Sequence, residues 1–161
     1  MSSFVLDLAQ LPQGSSQARA EADATEIGLP ASGWPGRVAG EFRVERNGER
    51  LTVRGRVRTV AWLECFRCLR GYELALDVPV ELFAEHSGTG SRRDEAELER
   101  DDYMMFHNGR KLDLSEQVRE ALLLELPIAP HCREDCEGLC PRCGADLNDG
   151  PCACQDRLAV R

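Results

Sequence analysis

Eight cysteines fall into four close pairs, Cys65/Cys68, Cys132/Cys136, Cys140/Cys143 and Cys152/Cys154, and the last four read C-x2-C-x8-C-x-C. Thiolates a few residues apart can converge on one tetrahedral ion, so a chain with this spacing is pinned wherever the pairs meet. Cys140-Pro141-Arg142-Cys143-Gly144 has the look of a zinc or rubredoxin-type knuckle. In a reducing compartment paired thiols seldom persist as disulfides, which favours metal ligation, with thiol chemistry as the alternative.

Four pairs make two four-ligand sites in three ways. Loop-closure entropy grows with length, so the short loop between Cys143 and Cys152, with its Asn148-Asp149-Gly150-Pro151 turn, favours a local site of Cys140, Cys143, Cys152 and Cys154. Cys65 and Cys68 would then meet Cys132 and Cys136. A site joining the two C-x2-C knuckles, and a single site with spare thiols, remain as alternatives. His131 could replace a cysteine, although a solvent-facing loop histidine is the simpler reading. The metal expected is zinc, two ions per chain, with iron less favoured because four thiolates also suit a rubredoxin-type centre. Arg67, Arg70, Arg133 and Arg142 stand beside these cysteines and could offset the thiolate charge.

The chain has 161 residues, 42% of them hydrophobic, and a formal net charge of −8. That length supports one body with a real core. No apolar run approaches the roughly 20 residues that span a bilayer, and the start lacks the pattern of a secretory leader, so a soluble cytoplasmic protein is expected.

Phe4, Leu6 and Leu8 alternate as an opening strand, and 13–36 then turns polar and Gly/Pro-rich, which reads as a wrapping loop or arm with a short helix over 15–26. Val38, Phe42 and Val44 share one face of a strand, Asn47-Gly48 signals a type I′ hairpin, and Leu51, Val53 and Val57 resume the alternation. A further strand carries Leu74, Leu76, Val78, Val80 and Leu82, which places the first knuckle between two long strands. Residues 87–102 are almost wholly polar and read as an acidic, disordered insertion. Asp113 and Glu116 resemble a capping box ahead of Leu114, Val118, Ala121 and Leu122 at helical spacing, until Pro127 ends the run. The fold expected is α+β: a twisted antiparallel sheet, with barrel-like closure as a guess, one main amphipathic helix and a cysteine-rich zinc-binding tail. The division expected is 1–130 for the sheet and helix and 131–161 for the tail packed on it.

Arg54, Arg56 and Arg58 share one side of their strand, and Arg43 on the partner strand faces the same way. Such a stripe suits phosphate, because each guanidinium is a planar fork of donors, and makes these four residues RNA-contact candidates. An ordinary exposed sheet face is the simpler reading. Trp62 has the same parity, with burial beneath the N-terminal segment expected for it. Stacking of unpaired bases has little support, since aromatic residues are sparse.

Nothing in the sequence carries catalysis. H-E-x-x-H, G-x-S-x-G, a deaminase signature and a P-loop are all missing, and neither C-x-x-C has the strand-to-helix setting that activates a redox dithiol. A non-enzymatic chain without a small-molecule substrate or membrane partner is expected.

Three segments carry a family resemblance: Leu63-Glu64-Cys65-Phe66-Arg67-Cys68-Leu69; Leu112-Asp113-Leu114 leading into a helix that ends Leu126-Pro127-Ile128-Ala129-Pro130; and Cys136 through Asn148. Together and in this order they resemble the YceD-like large ribosomal RNA subunit accumulation proteins, a family of small bacterial and plastid proteins. The resemblance implies a ribosome biogenesis factor supporting synthesis, processing or stability of 23S ribosomal RNA. Its partner would be the large-subunit precursor or that RNA, reached directly or through a ribosomal protein or assembly factor. A protein-interaction adaptor with a zinc-stapled tail is the alternative, and a C-x-x-C thiol oxidoreductase the least favoured one.

Overall fold

Alternating apolar side chains build most of what the computed structural model describes, namely residues 4–86, 110–154 and the backbone of 104–107. The acidic stretch 87–102 lies outside the described residues. Among the described residues seven strands, β1 (Val5–Asp7), β2 (Gly14–Asp23), β3 (Arg37–Asn47), β4 (Arg50–Glu64), β5 (Gly71–His86), β6 (Met104–His107) and β7 (Lys111–Asp113), precede the helix α1 (Ser115–Glu125).

β2 to β6 form one five-stranded sheet in chain order, and β1 pairs with β7 in a two-stranded one. β2, β3 and β4 pair antiparallel, whereas β6 joins β5 in parallel from Phe83↔Met104 to His86↔His107. The antiparallel expectation therefore fails at that edge. So does the curl toward a barrel: among the described residues the sheet order ends at β2 and β6, and an edge strand of four residues offers little backbone for closure.

β2 corrects the expected loop and short helix over 13–36. Ala20 and Ala22 are buried while Arg19, Glu21 and Asp23 face outward, an alternation too weak in hydrophobicity to read in advance. Ten consecutive pairings with β3, Gly14↔Arg46 to Asp23↔Arg37, override the helical preference of alanine. The following segment does wrap, burying Ile27, Leu29 and Trp34. At the β3–β4 hairpin Gly48 has φ +65°, and Leu69 is the one non-glycine residue with positive φ among the described residues. Type I′ requires positive φ at both central positions, so Gly48-Glu49 is not that turn.

The chain forms two compact units, Met1–Ala61 with Ala75–Glu125, and Trp62–Leu74 with Leu126–Arg161. The sequence placed a division at residue 130; here the tip of the β4–β5 hairpin groups with the cysteine-rich segment. In the first unit Val38, Phe42, Val44, Leu51, Val53 and Val57 form the buried sheet face. Phe42 meets Phe4 edge to face, with centroids 6.2 Å apart, and its ring occupies the space that side chains at Gly40 and Gly55 would take. α1 buries Val118 and Leu122, and Asp113 accepts the Ser115 N–H at 2.9 Å from one residue outside the Leu114 cap.

Candidate metal centres

The second unit is built around sulfur. Its buried cluster is Cys65, Cys68 and Cys136, with Tyr72, Cys132 and Leu139 packed against it. Each C-x2-C knuckle folds by the same backbone pattern. The Cys65 N–H donates to Arg70 O and Leu69 N–H to Cys65 O, both at 2.9 Å; Cys140 N–H donates to Ala145 O and Gly144 N–H to Cys140 O, both at 2.8 Å. The residue after the second cysteine must then take positive φ. Gly144 does so at +73° without penalty, whereas Leu69 does so at +59°, at about 1 kcal/mol of backbone strain.

These turns and the intervening loops bring eight sulfurs into two groups. Cys65, Cys68, Cys132 and Cys136 form one and Cys140, Cys143, Cys152 and Cys154 the other, with all ligand atoms of a group within 4.8 Å of one another. This is the grouping that loop closure favoured. Cys65 Sγ lies 3.7 Å from Cys136 Sγ, and Cys68 Sγ 3.7 Å from Cys132 Sγ. Four sulfurs about 2.3 Å from a zinc ion form a tetrahedron with edges of about 3.8 Å, so the first group fits the ion, while a disulfide needs sulfurs about 2.05 Å apart. His131 is exposed and belongs to neither group. Cys65, Cys68 and Cys136 are buried, whereas Cys143 is exposed and Cys152 and Cys154 half-buried.

The thiols are unequal. Burial disfavours the Cys65 thiolate, yet hydrogen bonding from the backbone at Cys132, Cys68 and Arg67 outweighs it and lowers the pKa to about 6. Backbone hydrogen bonds at Cys143 and Arg142 lower Cys140 to about 6 as well. Burial and neighbouring sulfurs push Cys132 up to about 12, and a bond to Cys143 together with burial pushes Cys154 up to about 11. One sulfur of each group ionises readily and another resists, as expected of like charges crowded together; a divalent cation at their centre would favour the thiolate at all four.

Asn148, which the sequence offered only as a turn residue, links the groups. It lies in the loop between Cys143 and Cys152, yet its Nδ2 donates to Cys136 Sγ at 3.5 Å and to Asp146 Oδ1 at 2.6 Å. Its Oδ1 accepts from the Glu137 N–H at 2.9 Å and from Arg133 at 2.8 Å. Asp146 also binds Arg70 at 2.8 Å, and the Asn148 backbone N–H holds its carboxyl below the usual range. Three of the four arginines expected to offset thiolate charge hydrogen-bond elsewhere: Arg67 donates to the Cys136 carbonyl at 3.0 Å, and Arg70 and Arg133 bind the side chains just named, with Arg70 still feeling the charge of Cys68. The signal for this network was Asp146-x-Asn148, a turn-capping pair between ligand pairs.

On the first unit, Arg43, Arg54, Arg56 and Arg58 do share one face. With Arg19 and Glu41 they line a shallow groove of about 280 Å³ floored by Gly55. The face is an ionic lattice: Arg54 pairs with Glu81 at 2.6 Å, Arg56 and Arg58 with Asp77 at 2.8 and 3.3 Å, and Arg43 donates to Ser15 Oγ at 3.0 Å. In the second unit Trp62 is half exposed and rests against Gly71, where burial beneath the N-terminal segment was expected.

A mainly antiparallel sheet with two four-cysteine groups defines the class: a sheet protein with the donor sets of structural metal centres. The model of the family described as large ribosomal RNA subunit accumulation protein YceD matches residues 53–160, and the chain belongs to that family. It is 37% identical over 113 residues, 69% of this chain and 52% of the relative, to an uncharacterized protein of Mycobacterium tuberculosis. It is 32% identical over 138 residues, 71% of this chain and 47% of the relative, to a Zea mays protein named large ribosomal RNA subunit accumulation protein YCED homolog 1, chloroplastic. An Arabidopsis thaliana protein of the same name is 27% identical over 173 residues, 92% of this chain and 54% of that one. The chain thus spans about half the length of the curated relatives it matches. No solved structure matches it. Among the described residues no helix is long and apolar enough to cross a membrane.

Proposed function

We propose that this chain is a non-enzymatic, cytoplasmic factor supporting accumulation of large-subunit (23S) ribosomal RNA, and that two zinc ions, one in each four-cysteine group, hold its second unit folded. The observation that carries this reading is the family match over 53–160, a range that contains both sulfur groups. The zinc supplies structure: four thiolates close its coordination sphere and leave no position for a reacting water. Every remaining task falls to the polypeptide.

RNA contact is assigned to Arg43, Arg54, Arg56 and Arg58. Each guanidinium has five N–H donors, so even Arg58, shared between Asp77 and Glu41, and Arg56, bound to the Asp77 carboxylate and carbonyl, keep donors for phosphate. With the chain at −8, sequence-independent attraction to RNA is weak and association depends on a defined partner in the large-subunit precursor. Depletion of the protein should lower mature large-subunit RNA relative to small-subunit RNA, and the protein should sediment with large-subunit precursors. An unchanged RNA ratio in depleted cells, with the protein remaining at the top of the gradient, would overturn the reading.

A further inference from the structure

The two knuckles share a backbone and differ in what they present. Phe66 and Leu69 stand out from the first at 73% and 57% exposure. The Phe66 N–H donates to the Pro130 carbonyl at 2.7 Å, which brings in the segment of Ile128, itself fully exposed. The second knuckle has Pro141 and Gly144 at the corresponding positions, with nothing of similar reach. Leu69 also occupies a left-handed backbone position that glycine fills in its counterpart. An exposed leucine in a glycine position, beside an exposed phenylalanine, costs the fold strain and apolar exposure that a bound partner would offset.

Charge selects the occupant. The unit, 62–74 with 126–161, has eight carboxylates and six arginines, a net of −2 by subtraction with histidine neutral. Each four-thiolate divalent centre would add two further negative charges. Arg67 and Arg70 beside the apolar side chains are engaged by a carbonyl and by Asp146. Such a surface disfavours phosphate, of nucleic acid or of anionic lipid, and disfavours a second acidic copy of itself; it attracts a basic segment.

We propose that the Cys65–Cys68 knuckle, with Phe66, Leu69 and Ile128, is a docking surface for a basic protein segment bearing apolar side chains. Those side chains pack on Phe66 and Leu69 while the segment's lysines and arginines meet the carboxylates of this unit. The inference shares with the function proposed above its metal-loaded second unit but not its ribosomal role, because peptide binding is measured without reference to ribosomal RNA and metal content is read separately.

The test titrates the metal-loaded full chain with a lysine–leucine peptide, with lysine–serine and glutamate–leucine peptides as controls. The lysine–leucine peptide should bind at least about tenfold more tightly than either control, and Phe66→Ser with Leu69→Gly should remove about tenfold of that affinity at unchanged metal content. Leu69→Gly keeps the N–H that donates to Cys65 and relaxes the backbone, so the knuckle should persist. Should the double variant lose metal, Ile128→Ser leaves the knuckle untouched and should weaken the same binding. Equal binding of lysine–serine, or unchanged binding in the variants, overturns the proposal. So does self-association abolished by Phe66→Ser, or polyuridine competing for the same surface.

Discussion

Hydrocarbon excludes water from the first unit, where Phe4, Leu51, Val53, Leu112, Leu114 and Leu122 are all buried to within 2%. In the second unit the buried cluster is three cysteines with Tyr72, Cys132 and Leu139 at its margin. A sheet face of that size stabilises itself, since each buried aliphatic side chain contributes about 1.5–3 kcal/mol. Three thiols and their neighbours cannot match it, and in the function proposed above metal held by the eight sulfurs takes the place of a core. The difference teaches that one chain can carry two stabilities with separate causes, so that a treatment directed at sulfur should act on one unit alone.

The largest effect that could break this comparison is chelation. Structural zinc commonly supplies on the order of 10 kcal/mol of folding free energy, so its removal should unfold the second unit and spare the first. The two tryptophans report separately, Trp34 in the first unit and Trp62 in the second. In single-tryptophan variants, chelator should shift Trp62 emission and leave buried Trp34 unchanged; a joint response would show one cooperative body.

Next in size are single cysteine replacements. Cys136→Ser removes a buried sulfur that also accepts from Asn148, whereas Cys143→Ser removes an exposed one. Each should cost one equivalent of zinc by elemental analysis, and Cys136→Ser should lower the Trp62 melting midpoint more. Asn148→Ala should be milder, weakening metal affinity at the Cys65 group by about 10–100-fold although Asn148 lies in the loop of the other group. Competition against a chelating dye measures it, and unchanged affinity would mean that the two groups load independently.

The smallest effect belongs to the ionic face of the first unit. Arg56 donates to Asp77 and, with burial opposing, lowers that carboxyl's pKa. A depressed carboxylate stabilises the fold above its unfolded value of 3.8, and that contribution is lost as pH falls through the folded value. Arg56→Gln should therefore lower the Trp34 midpoint by about a degree or two at neutral pH, and by less in acid where Asp77 is protonated in both proteins.

Regions with strong alternation were legible in the sequence. Val38 to Val57 and Leu76 to Leu82 fell on their expected faces, and the helix ended where Pro127 required. β2 was not, because small alanines carry little periodic signal and ten cross-strand pairings, a tertiary fact, decided its form. β6 was hidden because a four-residue parallel edge has no local signature. The cysteine grouping was readable because closure entropy ranks loops by length alone. Asn148 was missed because its partner Cys136 is distant from its own ligand loop in function though only twelve residues away in the chain. The acidic partners of the arginine stripe came from the neighbouring strands, Asp77 and Glu81 on β5 and Glu41 on β3, so their pairing depended on strand register.

X-ray absorption at the zinc edge, combined with elemental analysis of the chain purified without chelator, bears most directly on whether sulfur-bound metal holds the second unit. The expected result is two zinc ions per chain, each bound by four sulfurs at about 2.3 Å. A metal-free chain with ordered Trp62 emission, or zinc bound through nitrogen or oxygen, would contradict the account.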